Sequence, residues 1–153
     1  MFDGNAQDFH IGLDDSADDL VIGLGSALGT TPAISIAETL KTSFGGAAVG
    51  KTSTANATGS TTLDFDANQN FVLTATGNIT LANPSTETVG QTGFIAIIQD
   101  GTGSRTLTLG TDYESPASGG ITLTTTASAT DIIPYVVVAA NRVALGTPQL
   151  AFG

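Results

Sequence analysis

The sequence predicts an all-β fold, with an antiparallel β-sandwich of the jelly-roll type in the C-terminal part of the chain. Apolar residues recur at every second position in short runs, and turns containing Gly or Asn separate these runs. A period of two is typical of half-buried strands, and Gly and Asn tolerate the positive φ that tight hairpins need. Only 12% of the 153 residues are charged, whereas surface helices usually need more charge. These observations together favour strands over helices.

Residues 1–36 form a first block with a charge pattern of its own. The block has no Lys or Arg but holds six of the 14 acidic residues: Asp3, Asp8, Asp14, Asp15, Asp18 and Asp19. Strand-like runs at residues 9–13 and 20–24 flank an acidic turn, and a third run at residues 34–36 follows the chain breaker Pro32. Strands this short do not bury a core by themselves. We therefore expect this block to be an extended arm.

Residues 37–60 are mostly small or hydroxylated and show no sustained hydrophobic period. This composition predicts a linker, or an extended segment that lies against a neighbour. The sequence therefore divides into an N-terminal arm with its linker, residues 1–57, and a β-sandwich head, residues 58–153.

Seven or eight strands are predicted in the head, because apolar alternation becomes regular after Thr61. The apolar positions lie at residues 63–65, 71–75, 79–81, 94–98, 107–109, 121–123, 132–138 and 143–145. The predicted turns lie at residues 76–78, 100–103, 118–120 and 140–142.

The composition excludes several classes of partner and chemistry. The formal net charge is -10, so the chain lacks the basic surface that nucleic acids and anionic membranes attract. It has no Cys, which excludes disulfides, thiolate metal sites and a catalytic thiol. No apolar run approaches the roughly 18 residues of a membrane helix, and the acidic start is unlike a signal peptide. We expect a soluble protein without a classical secretion signal.

One segment matches a phosphate-binding motif by letter. Residues 45–52 satisfy G-x-x-x-x-G-K-[ST], with Lys51 and Thr52 in the motif positions and Asp100 as a candidate magnesium ligand. A working phosphate loop needs a buried parallel strand before it and a helix after it. The residues after Thr52 have weak helix propensity, so we favour a structural interpretation over nucleotide binding.

The other candidate sites also have structural explanations. Asp14, Ser16 and Asp18 have the one, three and five spacing of a calcium loop, but the required Gly is absent. His10 is the only histidine, and no Ser lies in a nucleophile turn. Asp64 and Asp66 alternate with apolar residues and are expected on a strand surface. The sequence therefore predicts no catalytic, cofactor or metal site, and no enzyme.

Three segments resemble the strand-rich modules of tailed-bacteriophage virion surface proteins, such as tail fibres and head fibres. The head contributes Thr61-Thr62-Leu63-Asp64-Phe65, residues 70–84 and residues 90–109; the front segment is residues 9–23. The resemblance implies a non-enzymatic homotrimer on the particle surface, whose N-terminal part is attached to the virion while the β domain projects outward. In such a trimer the short strands of residues 9–36 would be exchanged between copies, which would pair their open edges.

The short chain favours a capsid decoration (cement) protein or head spike over a full tail fibre. Its arm would attach and trimerise the protein, with the major capsid protein or another virion protein as the partner. The expected contact residues are Phe2, Phe9, His10 and Ile11, while Asp14, Asp15, Asp18 and Asp19 would face a basic patch or solvent.

Two alternatives remain open at the level of sequence. The first is a tail-fibre or receptor-binding adhesin whose head binds a host surface glycan, although the chain has no Trp and only two tyrosines, Tyr113 and Tyr135, for sugar stacking. The second is an enzyme that uses Lys51 and Thr52, or His10.

Overall fold

The structure, a computed structural model, describes residues 7–153 and confirms the predicted all-β class. Beside the strands it contains one 3₁₀ turn, Pro116–Ser118. None of the helical segments in residues 7–153 has the length and apolar character needed to cross a bilayer. The chain divides into two compact units, Met1–Val49 and Gly50–Gly153. The first compact unit ends at Val49, within the residues 1–57 that the sequence predicts as arm and linker.

The N-terminal unit is an antiparallel four-stranded sheet in the order β1-β2-β3-β4. Its strands are β1 (Phe9–Asp14), β2 (Asp19–Leu24), β3 (Pro32–Ile36) and β4 (Thr42–Phe44). The first three coincide with the apolar runs of the sequence, and β4 lies in the segment expected to be a linker. All four strands pair within one chain, so strand exchange between copies stays a prediction.

The C-terminal unit is built on one eight-stranded sheet in the order β5-β6-β7-β10-β11-β9. In addition, β12 pairs with β10 and β8 pairs with β6. The strands are β5 (Thr52–Thr62), β6 (Asn70–Ala82), β7 (Thr92–Gln99), β8 (Leu107–Leu109), β9 (Tyr113–Glu114), β10 (Thr130–Ala139), β11 (Arg142–Leu145) and β12 (Gln149–Phe152).

The prediction that this sheet is antiparallel was wrong, because the sheet is mixed. Strand β6 runs parallel to β5, β7 and β8, and β9 runs parallel to β11, whereas β10 pairs antiparallel with β7, β11 and β12. Strand direction depends on where the connecting segment crosses the sheet, and a period-two pattern is the same for both directions. Here the crossovers are irregular segments, residues 63–69 and 83–91, instead of helices.

Two predicted strands are irregular segments that nevertheless bury their apolar side chains. Leu63 and Phe65 follow the end of β5, and Ile121 and Leu123 precede β10; all four are buried in the core. The phenyl ring of Phe65 lies 5.0 Å from that of Phe71 and 5.2 Å from the ring of Tyr135, measured between centroids. The alternation therefore predicts burial correctly at these positions, but the residues do not take part in the hydrogen-bonded ladder of a strand.

The predicted turn at residues 76–78 was also wrong, since β6 continues through it. The pairing of β5 with β6 shifts register between Ala57 and Gly59, which marks an irregularity at this point of the ladder. A side chain at Gly77 would collide with the hydroxyl of Thr58 on the neighbouring strand. The glycine thus permits close approach of β5 to β6 instead of reversing the chain.

Candidate functional site

One face of the N-terminal sheet consists of exposed and half-buried apolar side chains, and we call it the apolar sheet face. Its members are Phe9, Ile11, Leu13, Leu20, Ile22, Leu24, Ile34, Ile36 and Phe44. They share a face because side chains alternate along each strand and the register pairs apolar with apolar, except at Ile36, whose partner on β4 is Thr42. Leu13 is 71% exposed, Phe44 59% and Phe9 49%. The face carries no charged side chain.

The opposite face of the same sheet is covered by its own loop, residues 25–31. A Cβ on Gly12 would touch the Leu28 side chain, and a Cβ on Gly23 would collide with the Thr31 carbonyl. His10 and Val21 are both 2% exposed on this side. One face of the sheet is therefore covered by its own loop, whereas the apolar sheet face is open.

His10 belongs to the covered face. Its Nδ1 lies 3.0 Å from the Gly25 carbonyl oxygen, so Nδ1 carries the proton and donates it there, while Nε2 is buried without a hydrogen-bond partner. The structure therefore brings together Phe9 and Ile11 of the expected contact residues, but places His10 on the other side of the strand. Phe2 lies outside the described residues.

The acidic residues lie at the turn between β1 and β2. The Oδ1 atom of Asp14 accepts hydrogen bonds from the Ser16 hydroxyl at 2.6 Å and from the Ser16 N–H at 3.1 Å. These two bonds lower the pKa of Asp14 below its usual 3.8. Asp15 and Asp18 are exposed, and Asp19 begins β2 opposite Asp14. Asp14 thus orders its own turn, as an Asx turn does.

The phosphate-motif residues do not adopt the geometry of a phosphate loop. The strand before them, β4, pairs antiparallel with β3, and Thr52 begins the strand β5 where a helix would be needed. The Lys51 carbonyl accepts the N–H groups of Gln69 and Asn70. Asp100 forms an ion pair with Arg105 at 2.7 Å instead of standing free for a metal.

A polar cleft of about 480 Å³ opens in the C-terminal unit between β8 and the 3₁₀ turn. It is lined by Leu109, Gly110, Thr111, Tyr113, Glu114, Ser115, Ala117, Ser118 and Gly120. Asn83 fixes one wall, because its amide donates to the Thr111 hydroxyl at 2.8 Å and its carbonyl accepts the Asp112 N–H at 3.1 Å. A second wall is held by Arg142, which donates two hydrogen bonds to the Glu114 carboxylate, at 2.7 Å to Oε1 and 2.9 Å to Oε2.

Two buried polar atoms of this unit have no hydrogen-bond partner, the Tyr113 hydroxyl and Glu87 Oε2. Burial and the nearby charges of Glu87 and Asp112 raise the pKa of Tyr113 above its usual 10.0. Tyr113 and Glu114 both line the cleft, but the Tyr113 hydroxyl is buried and both oxygens of the Glu114 carboxylate are bonded to Arg142. The cleft also carries the hydroxyl groups of Thr111, Ser115 and Ser118, which can donate and accept hydrogen bonds.

Sequence reasoning missed this cleft, because its residues come from segments that carry no recognisable motif. The only signal available was the close succession of turn residues around residues 110–120. In residues 7–153 no group of three or more acidic or histidine side chains is arranged to hold a metal ion.

The chain was compared with the models of known protein families. Residues 53–140 match the model of the family described as "Putative phage tail fibre C-terminal domain". The matched range extends from β5 to the end of β10 and includes most of the buried core of the C-terminal unit. No curated protein and no solved structure matches the chain. The match confirms the resemblance to phage virion surface proteins and favours the tail-fibre alternative over capsid decoration.

Proposed function

Because this chain belongs to the family of phage tail fibre C-terminal domains, we propose that it is a homotrimeric structural protein of a tail fibre, displayed on the particle surface. The observation that carries the proposal is the family match over residues 53–140, more than half of the chain. The chain is thus a bacteriophage virion component of the tail-fibre type. The family match supports the tail-fibre alternative better than the decoration protein that the sequence favours.

The proposed role is binding without catalysis. The side chains considered for a reaction make structural contacts instead. His10 bonds to the Gly25 carbonyl, and Asp100 forms an ion pair with Arg105. Lys51 precedes a strand where a phosphate loop would need a helix. These contacts support a structural role for the same residues.

Each unit has its own part in this proposal. The N-terminal unit joins the copies of the chain to one another and to a further virion protein. The C-terminal unit, which has the extensive core and the eight-stranded sheet, faces the host surface. A rigid scaffold that carries a binding loop cluster is the usual arrangement of recognition proteins.

Immunogold electron microscopy of the virion tests the location. Antibodies against the purified chain should label the tail fibres of the phage that encodes it. Label distributed over the head would contradict the proposal and restore the decoration protein. A virion stripped of its tail serves as the control, because it should then bind no antibody.

The polar cleft supports a second, finer function, recognition of a host surface glycan. The hydroxyl groups of Thr111, Ser115 and Ser118, together with the Glu114 carboxylate that Arg142 holds in place, line the cleft and can bond to sugar hydroxyls. The purified chain should bind host cells and compete with phage adsorption. Glu114→Gln should weaken that binding, whereas Glu38→Gln, an exposed change in the N-terminal unit, should not. Equal binding by both variants would remove the cleft from the recognition surface.

A further inference from the structure

The N-terminal unit has very little core of its own. Among residues 7–49 the buried side chains are those of Val21 and His10. A unit of this size without disulfides or a metal normally needs another surface to complete its core. Its strands are nevertheless paired in a continuous ladder across all four strands. The missing burial therefore has to come from outside the sheet.

The apolar sheet face is large enough to supply that burial. One row of the register, Ile11, Ile22, Ile34 and Phe44, runs across all four strands without a polar interruption. From their exposed fractions, the seven exposed residues of the face leave roughly 650–750 Å² open, which is close to the roughly 800 Å² that each partner buries in a stable interface. It also exceeds the scattered apolar exposure of ordinary monomers.

The charge pattern allows another copy of the chain to be the occupant, and the open apolar area matches what such an interface needs. Residues 1–36 carry only acidic charges, so two copies could approach only if these charges avoid the interface. Asp14 and Asp19 are neighbours of Leu13 and Leu20 along the strands and so point to the opposite face. Asp15 and Asp18 lie in the turn beyond the sheet. The apolar sheet faces of several copies can therefore meet without opposing carboxylates.

We infer that the apolar sheet face is the surface through which copies of this chain associate, each face packing on those of the other copies. This inference rests on the proposed homotrimer and adds the surface that holds it. Sheets packed through such faces lie about 10 Å apart, with their inward side chains interdigitated. The face would then form one shared core at the axis of the assembly.

The native mass of charge variants of the full chain tests the inference. The wild-type chain should have a mass of about 46 kDa by light scattering, three times its 15.3 kDa. Ile11→Asp and Ile22→Asp should lower the mass about threefold, because each places a carboxylate in an apolar interface. Val89→Asp is the matched control, because Val89 is exposed in the C-terminal unit and the added charge is the same.

A folding control and a second readout keep the test decisive. Both tyrosines, Tyr113 and Tyr135, lie in the C-terminal unit, so near-ultraviolet circular dichroism shows whether that unit is still folded. The chain has no Cys, so Ile11→Cys introduces one thiol on the face. In the assembly this thiol should react with a maleimide about tenfold or more slowly than the thiol of Val89→Cys, because assembly covers it.

The outcomes separate this inference from the proposed function. A wild-type oligomer that persists in Ile11→Asp and Ile22→Asp, with a fast-reacting thiol at position 11, would overturn the assigned surface and leave the tail-fibre protein intact. A wild-type monomer would overturn the homotrimer together with this surface. Immunogold label on the tail would still support the fibre location in either case.

Discussion

The buried carboxylate of Asp131 accepts two hydrogen bonds from Thr124, one from its N–H at 2.6 Å and one from its hydroxyl at 2.7 Å. The same carboxylate accepts the Ala151 N–H at 2.9 Å. Asp131 is 1% exposed and stands on β10, so it ties the irregular segment before β10 and the last strand, β12, to the central sheet.

We expect Asp131→Ala to lower the free energy of unfolding by about 3 kcal/mol or more, because it leaves the Thr124 and Ala151 N–H groups without their charged acceptor. Urea unfolding followed by circular dichroism measures the change. Asp66→Ala is the control, since Asp66 is exposed, and should change stability by less than about 0.5 kcal/mol. Similar effects of the two changes would mean that the three bonds contribute nothing net.

The two tyrosines should make the protein sensitive to alkali. Burial raises the pKa of Tyr135 to about 12 and that of Tyr113 above its usual 10.0, so the folded state holds both protons more tightly than the unfolded state does. This contribution to stability is complete below about pH 10 and is lost as the pH rises towards 12. Phenolate absorbance of the native chain should therefore appear at higher pH than that of the chain in urea.

The variant Tyr135→Phe separates the titration from the packing. It keeps the ring against Phe65 and Phe71 but loses the hydrogen bond from the hydroxyl to the Gln69 carbonyl at 2.6 Å, so stability should fall by about 1 kcal/mol at neutral pH. Its stability should then decline less between pH 10 and 12 than that of the wild type. An identical alkaline decline would exclude Tyr135 as the titrating group.

The turn after β7 should resist acid because of Asp100 and Arg105. The hydrogen bonds from Arg105 are the main cause that lowers the pKa of Asp100 below its usual 3.8. Because the pKa of Asp100 is lower in the folded state than in the unfolded state, its ionisation stabilises the fold above about pH 3.8. This stabilisation is lost as the pH falls through the pKa that Asp100 has in the folded state. Carboxyl titration by NMR should show the pKa of Asp100 rising towards 3.8 in Arg105→Gln.

The second arginine provides a matched control for that titration. Arg142 lowers the pKa of Glu114 through its own bidentate contact. Arg142→Gln should therefore raise the pKa of Glu114 and leave that of Asp100 unchanged, while Arg105→Gln should do the reverse. A shift of both carboxyls in either variant would indicate a general structural change instead of two separate pairs.

Gly110 should tolerate no side chain, because a Cβ there would collide with the Asn83 side chain and lie 2.7 Å from the Leu81 carbonyl oxygen. We expect Gly110→Ala to lower stability by about 1–3 kcal/mol and to displace Asn83 from the cleft wall. Gly101→Ala is the control, since a Cβ there meets open space, and should be neutral or slightly stabilising. Thermal unfolding of the two variants compares them directly.

The sequence predicted burial more reliably than it predicted strands. Leu63, Phe65, Ile121 and Leu123 are buried as their spacing indicated, although they lie in irregular segments. Conversely, most of β5 lies in residues 37–60, for which the sequence predicts a linker or an extended segment against a neighbour, because Thr, Ser, Ala and Gly give no apolar alternation. An edge strand with few buried side chains needs no such pattern, since the ladder with β6 holds it in place.

The candidate surfaces were predictable only in part. The apolar residues at positions 9, 11 and 13 were recognisable from their spacing, and Phe9 and Ile11 were selected as contact residues. The loop of residues 25–31 covers the side of the sheet that holds His10 and leaves the other side open. This arrangement depends on where the loop folds back, which the local sequence does not show. The polar cleft likewise exists only because segments distant in sequence meet at Asn83 and Glu114.

The sequence by itself determined the all-β class, the position of most strands and the apolar character of one side of β1 and β2, because these follow from local alternation and from turn-forming residues. Only the tertiary structure decided strand direction, the mixed sheet around β6, the burial of His10 and the cleft. Those features depend on which strands pair and where the connecting segments cross, and such long-range choices leave no periodic trace along the chain.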